Sequence, residues 1–198
     1  YLDRASGIAA LSKGASFAVL ENPQAENPIF DREVKAKIEK LLTIHGYRIA
    51  APEAAEYFVT YSYSMRPGLR NTMATAYGPP QTEIVSVPDG KGGFTTRAIT
   101  TPGPASIVPL VTTEYTGQLM IKVADATRQR KDKKEHVVWV GETHSIEQSS
   151  DLRRDIDYLL VVTFRYFGRD TGKQVQVNLS TSDPEVRELR GESATTGR

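Results

Sequence analysis

The sequence predicts an α+β fold: an antiparallel β-sheet with two main helices packed on one face, plus a Pro/Gly-rich β-hairpin flap. Alternating apolar and polar residues over 117–124 and 136–144 indicate a half-buried hairpin, which contains the only tryptophan, Trp139. Two other segments, 27–46 and 149–168, carry apolar residues at helical spacing. Several consecutive strands lie between these helices, and such runs indicate antiparallel pairing with the helices segregated to one face.

The first helix has clear boundary signals and follows a short strand over 16–20. Asn27 is suited to cap the helix, and Pro28 suits its first turn, where the missing N–H would be unpaired anyway. Gly46 can adopt the left-handed conformation that closes a helix. The apolar stripe of this helix consists of Phe30, Val34, Ile38, Leu41 and His45.

The longest alternation in the chain follows a short extended segment over 47–49. Within residues 57–65, Tyr57, Tyr61 and Tyr63 share one face, and residues of this type fit a pleated surface. One interpretation makes the tyrosines core residues whose hydroxyls reach the edge of the sheet. The other makes them a platform for stacking or for binding a sugar.

Residues 66–116 are rich in proline and glycine and are predicted to be an insertion that contains the flap. Strands over 82–87 and 94–99 flank the turn Pro88–Gly93, which predicts a hairpin. Neither strand is apolar enough to be central in a sheet. A linker between domains is excluded because neither flank could close a core alone, so the prediction is a single domain over 1–198.

The last third of the chain is predicted to hold a second helix and a final strand. Ser149 or Ser150 is suited to cap the helix, and Gly168 to end it, although residues 158–167 also fit a buried strand. The remaining predicted segments are a strand over 174–179, a short helix from Asp183 to Leu189, a polar tail over 190–198 and, at the start of the chain, a lead-in over 1–15.

The composition narrows the classes of function. The chain has 198 residues, of which 39% are hydrophobic and 25% charged, with a formal net charge of +1. These values are ordinary for a globular domain and argue against a dedicated nucleic-acid binder. There is no cysteine, so disulfides and thiolate catalysis are excluded. The common catalytic and phosphate-binding motifs are also missing. We therefore expect a non-enzymatic protein without a cofactor.

The histidines offer no metal site. His136 and His144 lie on one predicted strand, but the rise of a strand separates them by about 26 Å, which is too far to share a metal. Glu142 and His144 are neighbours on one face, but a metal site needs at least one further ligand. We therefore predict no metal ion.

A basic cluster, residues 128–134, connects the two strands of the hairpin that contains Trp139. It is either a solvated hairpin tip or a patch for anionic lipid headgroups or an acidic partner. Nucleic acid is not an expected partner, because no aromatic side chains are interleaved with these charges.

Several segments together resemble a known family. They are Phe17 in the first strand, Ile38–Tyr47 at the end of the first helix, the strand Tyr57–Tyr63, the pattern Gly117–Thr127 and the run Val138–Gly141. Over roughly residues 15–165, they resemble a bacterial lipoprotein family known as domain of unknown function 4136. The resemblance implies a periplasm-facing place in the cell envelope, with a lipid anchor on a cysteine upstream of Tyr1. It brings no catalytic residues.

The expected function is that of a non-enzymatic cell-envelope lipoprotein domain that binds a protein or an envelope component through the sheet edge or the flap. The alternative is a small-ligand or lipid carrier that uses the space between helices and sheet, lined by Tyr61, Tyr63 and Trp139. The expected partners are an unknown envelope protein or a lipid surface, with membrane attachment through the upstream anchor.

Overall fold

The computed structural model describes residues 1–7 and 11–192, which form eight strands and four helices. The fold class is α+β, as predicted. The chain divides into two compact units: Tyr1–Pro67 with Tyr115–Arg198, which we call the body, and Gly68–Glu114. The elements in chain order are β1 (Leu2–Gly7), β2 (Ser16–Val19), α1 (Pro28–Ile44), β3 (Arg48–Ile49), β4 (Tyr57–Tyr77), β5 (Gln81–Pro88), β6 (Phe94–Thr101), β7 (Ala105–Asp125), α2 (Ala126–Asp132), β8 (Val137–Glu147), α3 (Leu152–Arg165) and α4 (Pro184–Arg190).

The main sheet has six strands in the order β1-β8-β7-β4-β2-β3. β8 pairs antiparallel with both β1 and β7, whereas β2 pairs parallel with both β3 and β4. The prediction of an antiparallel sheet is therefore wrong for two pairings, β2 with β3 and β2 with β4, which are parallel. Because α1 connects β2 to β3, the chain crosses over and returns in the same direction, which gives parallel neighbours. The sheet is mixed.

α1 begins and ends close to its predicted boundaries because its capping signals are local. Oδ1 of Asn27 accepts hydrogen bonds from the backbone N–H groups of Ile29 and Phe30, both at 3.1 Å. Gly46 follows the helix with a φ of +83°, in the left-handed region that favours glycine. His45 of the predicted stripe is exposed, and the apolar residues that α1 buries are Phe30, Val34, Ile38, Leu41 and Leu42.

α3 is a helix, which excludes the strand alternative for residues 158–167. Its cap is Asp151 rather than Ser149 or Ser150, because the Asp151 carboxylate accepts a hydrogen bond from the backbone N–H of Arg154 at 3.2 Å. Residues Leu159–Phe164 are all buried. A helix that is buried on most sides has a nearly continuous apolar sequence, which is why the sequence also fitted a strand.

Trp139 lies in the core that α1, α3 and the sheet share. Its side chain is 1% exposed, its ring centroid lies 4.8 Å from that of Phe167, and its indole N–H donates to the carbonyl of Arg169 at 3.0 Å. Gly141, two residues along β8, leaves room for this ring. A Cβ atom at 141 would lie 3.0 Å from Cζ2 of Trp139 and 2.9 Å from Cγ2 of Thr163.

Two predicted segments differ from the structure. Residues 174–179 do not form a strand, since only Val175 makes a bridge, to Leu2. Their alternating apolar side chains pack on the core, so the period of two is present without a strand ladder. The predicted lead-in contains β1, because an edge strand needs only backbone groups to pair with β8. Residues 8–10 of the lead-in and 193–198 of the predicted tail lie outside the described residues.

The other two helices are short and are capped by aspartates. Oδ1 of Asp125 accepts from the backbone N–H of Arg128 at 2.9 Å and begins α2, so the connector within the Trp139 hairpin is helical rather than a simple tip. Asp183 caps α4, as predicted, by accepting from the backbone N–H of Glu185 at 3.2 Å. None of the helices in residues 1–7 and 11–192 combines the length and the hydropathy that crossing a membrane requires.

The smaller unit, Gly68–Glu114, contains the outer ends of β4 and β7 together with β5 and β6. β5 and β6 pair antiparallel along their whole length, from Gln81 opposite Thr101 to Pro88 opposite Phe94. The carboxylate of Asp89 closes the turn by accepting from the backbone N–H groups of Lys91 and Gly93, both at 2.8 Å. The bounds of this unit lie within the predicted insertion, residues 66–116.

Candidate functional site

The three side chains predicted to line one ligand site fall into two groups in the structure. The rings of Tyr61 and Tyr63 stack with centroids 6.4 Å apart and lie beside α1. Trp139 lies against Phe167, in another part of the core. Tyr61 and Trp139 are buried by protein side chains. A carrier function through these three residues stays a prediction.

Asp31, in the first turn of α1, is the partner of the two tyrosines. The Tyr61 hydroxyl donates to Oδ2 of Asp31 at 2.8 Å, and the Tyr63 hydroxyl donates to Oδ1 at 3.3 Å. Burial and the neighbouring Asp31 carboxylate raise the pKa of both tyrosines above its ordinary value. The pKa of Tyr63 rises to about 12. Both hydroxyls therefore stay protonated as donors. The core interpretation placed these hydroxyls at the edge of the sheet, whereas in the structure they bind a carboxylate in the first turn of α1.

One member of the basic cluster is engaged by the protein itself. The guanidinium of Arg130 lies 5.6 Å from the ring centroid of Phe58 and donates a hydrogen bond to the carbonyl of Ala55. Arg130 therefore helps α2 to pack beside the segment before β4. Binding of lipid headgroups by the remaining basic residues of 128–134 stays a prediction.

The smaller unit contains a two-stranded ribbon, formed by residues 68–77 of β4 and 105–114 of β7, which we call the ribbon. An isolated two-stranded ribbon is at best marginally stable in water, because two strands alone cannot enclose a hydrophobic core. In the described residues, no third strand pairs with this part of β4 or β7.

The ribbon has a constant register. Oγ1 of Thr72 donates to the carbonyl of Leu110 at 3.3 Å, and Oγ1 of Thr112 donates to the carbonyl of Arg70 at 3.4 Å. One residue number falls as the other rises, so the strands are antiparallel. Because even-numbered residues are opposite even-numbered ones, all odd-numbered side chains of the ribbon share one face.

This odd-numbered face is apolar and exposed to solvent. Its five large apolar side chains are between 58% and 78% exposed. Exposed apolar side chains grouped on one face often mark an interaction site, whereas single ones are ordinary. We call this odd-numbered face the ribbon face, and its large members are Leu69, Met73, Tyr77, Ile107 and Val111.

The opposite, even-numbered face of the ribbon has a different character. Arg70 and Glu114 form an ion pair there, with 2.8 Å between Nη1 and Oε1. This face also carries small residues such as Ala74 and Ser106. Its large apolar side chains, Val108 and Leu110, are 38% and 46% exposed, less than those of the ribbon face. Residues 71–82 and 98–113 contain no charged residue, so the ribbon face carries no charge of its own.

The β5–β6 hairpin repeats this pattern. Ile84 is opposite Ala98 and Pro88 is opposite Phe94, which places the four on one face. Ile84 and Phe94 are highly exposed. The smaller unit thus presents uncharged apolar side chains on both of its two-stranded parts. Sequence reasoning missed this surface, although the odd-numbered positions of Leu69, Met73 and Tyr77 were a usable signal. Residues 107–111 are apolar at every position and gave no such signal.

The body has a cleft of about 500 Å³ between β8, the first half of α3 and residues 176–181. Asp155 lies in it and is 4% exposed, and Ser145 donates a hydrogen bond to its Oδ2. Gly117 makes the position possible, because a Cβ there would overlap Oδ2 of Asp155 and lie 2.8 Å from Oγ of Ser145. Burial raises the pKa of Asp155, and the Ser145 hydrogen bond and the charge of Arg154 oppose that increase.

Sequence reasoning did not single out Asp155 as a candidate site residue. The usable signal was its spacing, because Asp155, Leu159 and Val162 lie on the same side of α3, which is otherwise apolar. Among residues 1–7 and 11–192, no group of three or more His, Asp or Glu side chains is arranged to hold a metal ion.

Comparison with known proteins gives the family and distant structural similarity. The family model described as "Domain of unknown function (DUF4136)" matches residues 3–167. None of the curated proteins matches this chain. Among solved structures, a PDZ domain protein from Parabacteroides distasonis is 13% identical, with a TM-score of 0.43, and the match covers 86% of this chain and 37% of that one. A PelC dodecamer from Paraburkholderia phytofirmans is 13% identical, with a TM-score of 0.42, and the match covers 81% of this chain and 91% of that one. The match to the family model spans most of the chain, and the chain therefore belongs to the DUF4136 family, a family of unknown function.

Proposed function

We propose that this chain is a non-enzymatic binding domain of the cell envelope, which holds a protein partner through the ribbon face. The observation that carries the proposal is the exposure of Leu69, Met73, Tyr77, Ile107 and Val111 on one face of a two-stranded ribbon. Leaving such side chains in water costs about 25 cal/mol for each Å² of apolar surface, so a partner that covers them gains free energy.

The lack of charge on the ribbon face selects the kind of partner. A surface that binds anionic lipid headgroups is usually lined by lysine and arginine, and residues 71–82 and 98–113 contain neither. An acidic or basic protein surface would lose hydration without gaining an opposite charge. The partner that fits is a protein with an uncharged apolar surface.

The ribbon architecture also favours a partner. Two-stranded ribbons are only marginally stable in water by themselves, and their outer backbone groups are available for pairing with another strand. A partner protein could therefore contact the apolar side chains and the strand edges together. Both contributions arise from Gly68–Glu114, and neither needs catalytic residues.

The envelope location is the second part of the proposal. It is supported by the resemblance to a lipoprotein family, which implies an acylated cysteine upstream of Tyr1. The test is the genomic sequence before Tyr1, followed by fractionation of cells that express the protein from its own gene. A lipobox cysteine and a membrane fraction that contains the acylated protein would support the location, and a cytosolic protein without that cysteine would contradict it.

Binding through the ribbon face can be tested by photo-crosslinking in the native host. A photoreactive amino acid is introduced at Ile107, on the ribbon face, or at Ser106, its exposed neighbour on the opposite face. The proposal expects a discrete adduct with a second protein from position 107 and several-fold less from position 106. Mass spectrometry then identifies the partner.

Substitution gives the matched control. Met73→Ser combined with Val111→Ser removes apolar surface from the ribbon face and should strongly reduce the adduct from position 107, whereas Thr112→Ser on the opposite face should not. The melting temperature checks that each variant is folded. Equal adducts from positions 106 and 107 would overturn the proposal, as would an adduct that the double variant leaves unchanged. An adduct of twice the chain mass would also overturn it, because the partner would then be a second copy.

A further inference from the structure

We propose that the cleft between β8, α3 and residues 176–181 is a binding site for a small organic amine, whose ammonium group pairs with Asp155. This site is in the body and is independent of the ribbon face. No motif in the sequence points to it. The inference is carried by the cleft, by the position of one carboxylate within it and by the charges that surround that carboxylate.

The Asp155 carboxylate has one oxygen engaged and one available. Oδ2 accepts from Ser145, whereas Oδ1 has no hydrogen-bond partner among the described residues. A buried carboxylate with an unused oxygen costs free energy, and a ligand that donates a hydrogen bond and carries positive charge recovers it. Burial raises the pKa of this carboxyl, and an adjacent ammonium group would lower it again.

The charges along the cleft favour a cation over an anion. Glu147 and Asp151 line it together with Asp155. The cationic groups of the lining are the guanidinium of Arg154 and the amino group of Tyr1, whose charge also lowers the pKa of Asp155. Lysine is not present among them. The three carboxylates therefore outnumber these two cationic groups, and the local potential favours positive charge. A carboxylate or phosphate ligand would meet repulsion at the same position.

The cleft also has an apolar part to its lining. In its lining, Leu159 and Val162 of α3 are buried, and Val177, Leu179 and Tyr158 are partly buried. Such a surface can cover a short hydrocarbon arm. The ligand class is therefore an amine that joins one ammonium group to an apolar arm, which matches a site with an apolar lining and few fixed polar groups.

The test is calorimetric titration of the whole chain with three probes of the same length. They are n-hexylamine, n-hexanol and hexanoate, which differ only in the head group. We expect saturable binding of n-hexylamine, with amide NMR shifts at Ser145, Tyr158 and Val177. We expect n-hexanol to bind about tenfold more weakly or worse, because its hydroxyl can donate a hydrogen bond to the carboxylate but carries no positive charge, and hexanoate not to bind.

Variants assign the effect to Asp155. Asp155→Asn should weaken n-hexylamine about tenfold or more, while Asp170→Asn, at an exposed position outside the cleft, should leave it unchanged. If Asp155→Asn fails to fold, Glu147→Gln at the exposed rim should still weaken the amine and not n-hexanol. Equal affinity for amine and alcohol, tighter binding of hexanoate, or no saturable binding of the amine would each overturn the proposal.

Discussion

Lys37 of α1 and Asp157 of α3 form an ion pair, with 2.5 Å between Nζ and Oδ1. The other carboxylate oxygen of Asp157 lies 2.9 Å from Nε of Arg190 in α4. The Asp157 side chain is 5% exposed, whereas its two cationic partners reach further into solvent. One buried carboxylate therefore connects three helices of the body.

Asp157→Ala should lower the free energy of unfolding by about 3 kcal/mol, the low end for breaking a buried ion pair, because both remaining cations can be hydrated. The matched control is Glu21→Ala, which removes an exposed pair with Lys35 at 3.9 Å and should cost about 0–1 kcal/mol. Urea denaturation measures both. Equal losses for the two variants would show that Asp157 does not stabilise the helix packing.

The two tyrosines that bind Asp31 should not be equivalent. Tyr61→Phe removes the shorter, buried hydrogen bond and should cost about 1–3 kcal/mol, because it leaves Oδ2 of Asp31 without that donor. Tyr63→Phe removes the longer bond at 3.3 Å from a partly exposed side chain and should cost less. The midpoints of urea denaturation show which variant loses more stability. A larger loss for Tyr63→Phe would contradict the prediction that the Tyr61 hydrogen bond is the stronger one.

Gly141→Ala should destabilise the body by about 1–3 kcal/mol, since the added methyl group has to displace the Trp139 ring or the Thr163 methyl group. Gly68→Ala is the control. Its Cβ would lie 3.8 Å from the carbonyl oxygen of Glu114, in ordinary contact. Thermal unfolding compares them, and a neutral Gly141→Ala variant would mean that the core beside Trp139 is loosely packed.

Trp139→Ala should cost about 3–5 kcal/mol, because it removes a fully buried aromatic side chain. Trp139→Phe keeps an aromatic ring but leaves the Arg169 carbonyl without its 3.0 Å donor, so a loss smaller than that of Trp139→Ala is expected. Urea denaturation gives both values. A loss well below 1 kcal/mol for Trp139→Ala would overturn the role of this residue as a core anchor.

Asp155 predicts a pH dependence of stability. Its folded-state pKa is raised above 3.8, so its contribution to stability is fully present below that value and is lost as the pH rises through the folded-state pKa. Wild type should therefore lose stability relative to Asp155→Asn, which cannot titrate, between about pH 3 and neutrality. Denaturation of both proteins across this range measures the difference, and the opposite slope would contradict the raised pKa.

Local signals in the sequence were sufficient for several elements. Asn27, Pro28 and Gly46 define α1 because a cap bonds to its own helix within a few residues. The hairpin of β7 and β8 follows from alternation on two adjacent segments. The family also follows from short motifs in these elements, and the match to residues 3–167 confirms it.

Other features depend on neighbours that are distant in the sequence. The alternation over 174–179 correctly predicts which side chains face the core, but a strand also needs a backbone partner, and only Val175 has one. β2 pairs parallel with β3 and β4 because the crossover through α1 places both strands beside it in the same direction. The sequence pattern of a strand does not show which strands become its neighbours. Asp151 rather than Ser149 or Ser150 caps α3, because that choice depends on where the helix can begin while keeping Leu159–Phe164 buried.

The fold class and the candidate sites differ in how much of each could be predicted from the sequence. The sequence by itself determined the α+β class, the main helices, the hairpin around Trp139 and the family, because periodicity and capping act over a few residues. The tertiary structure alone decided that Tyr61 and Tyr63 bind Asp31, that Asp155 lies in a cleft opposite residues 176–181, and that five apolar side chains share the ribbon face. Those relationships join residues that lie far apart in the chain, and the register and packing that bring them together are properties of the whole fold.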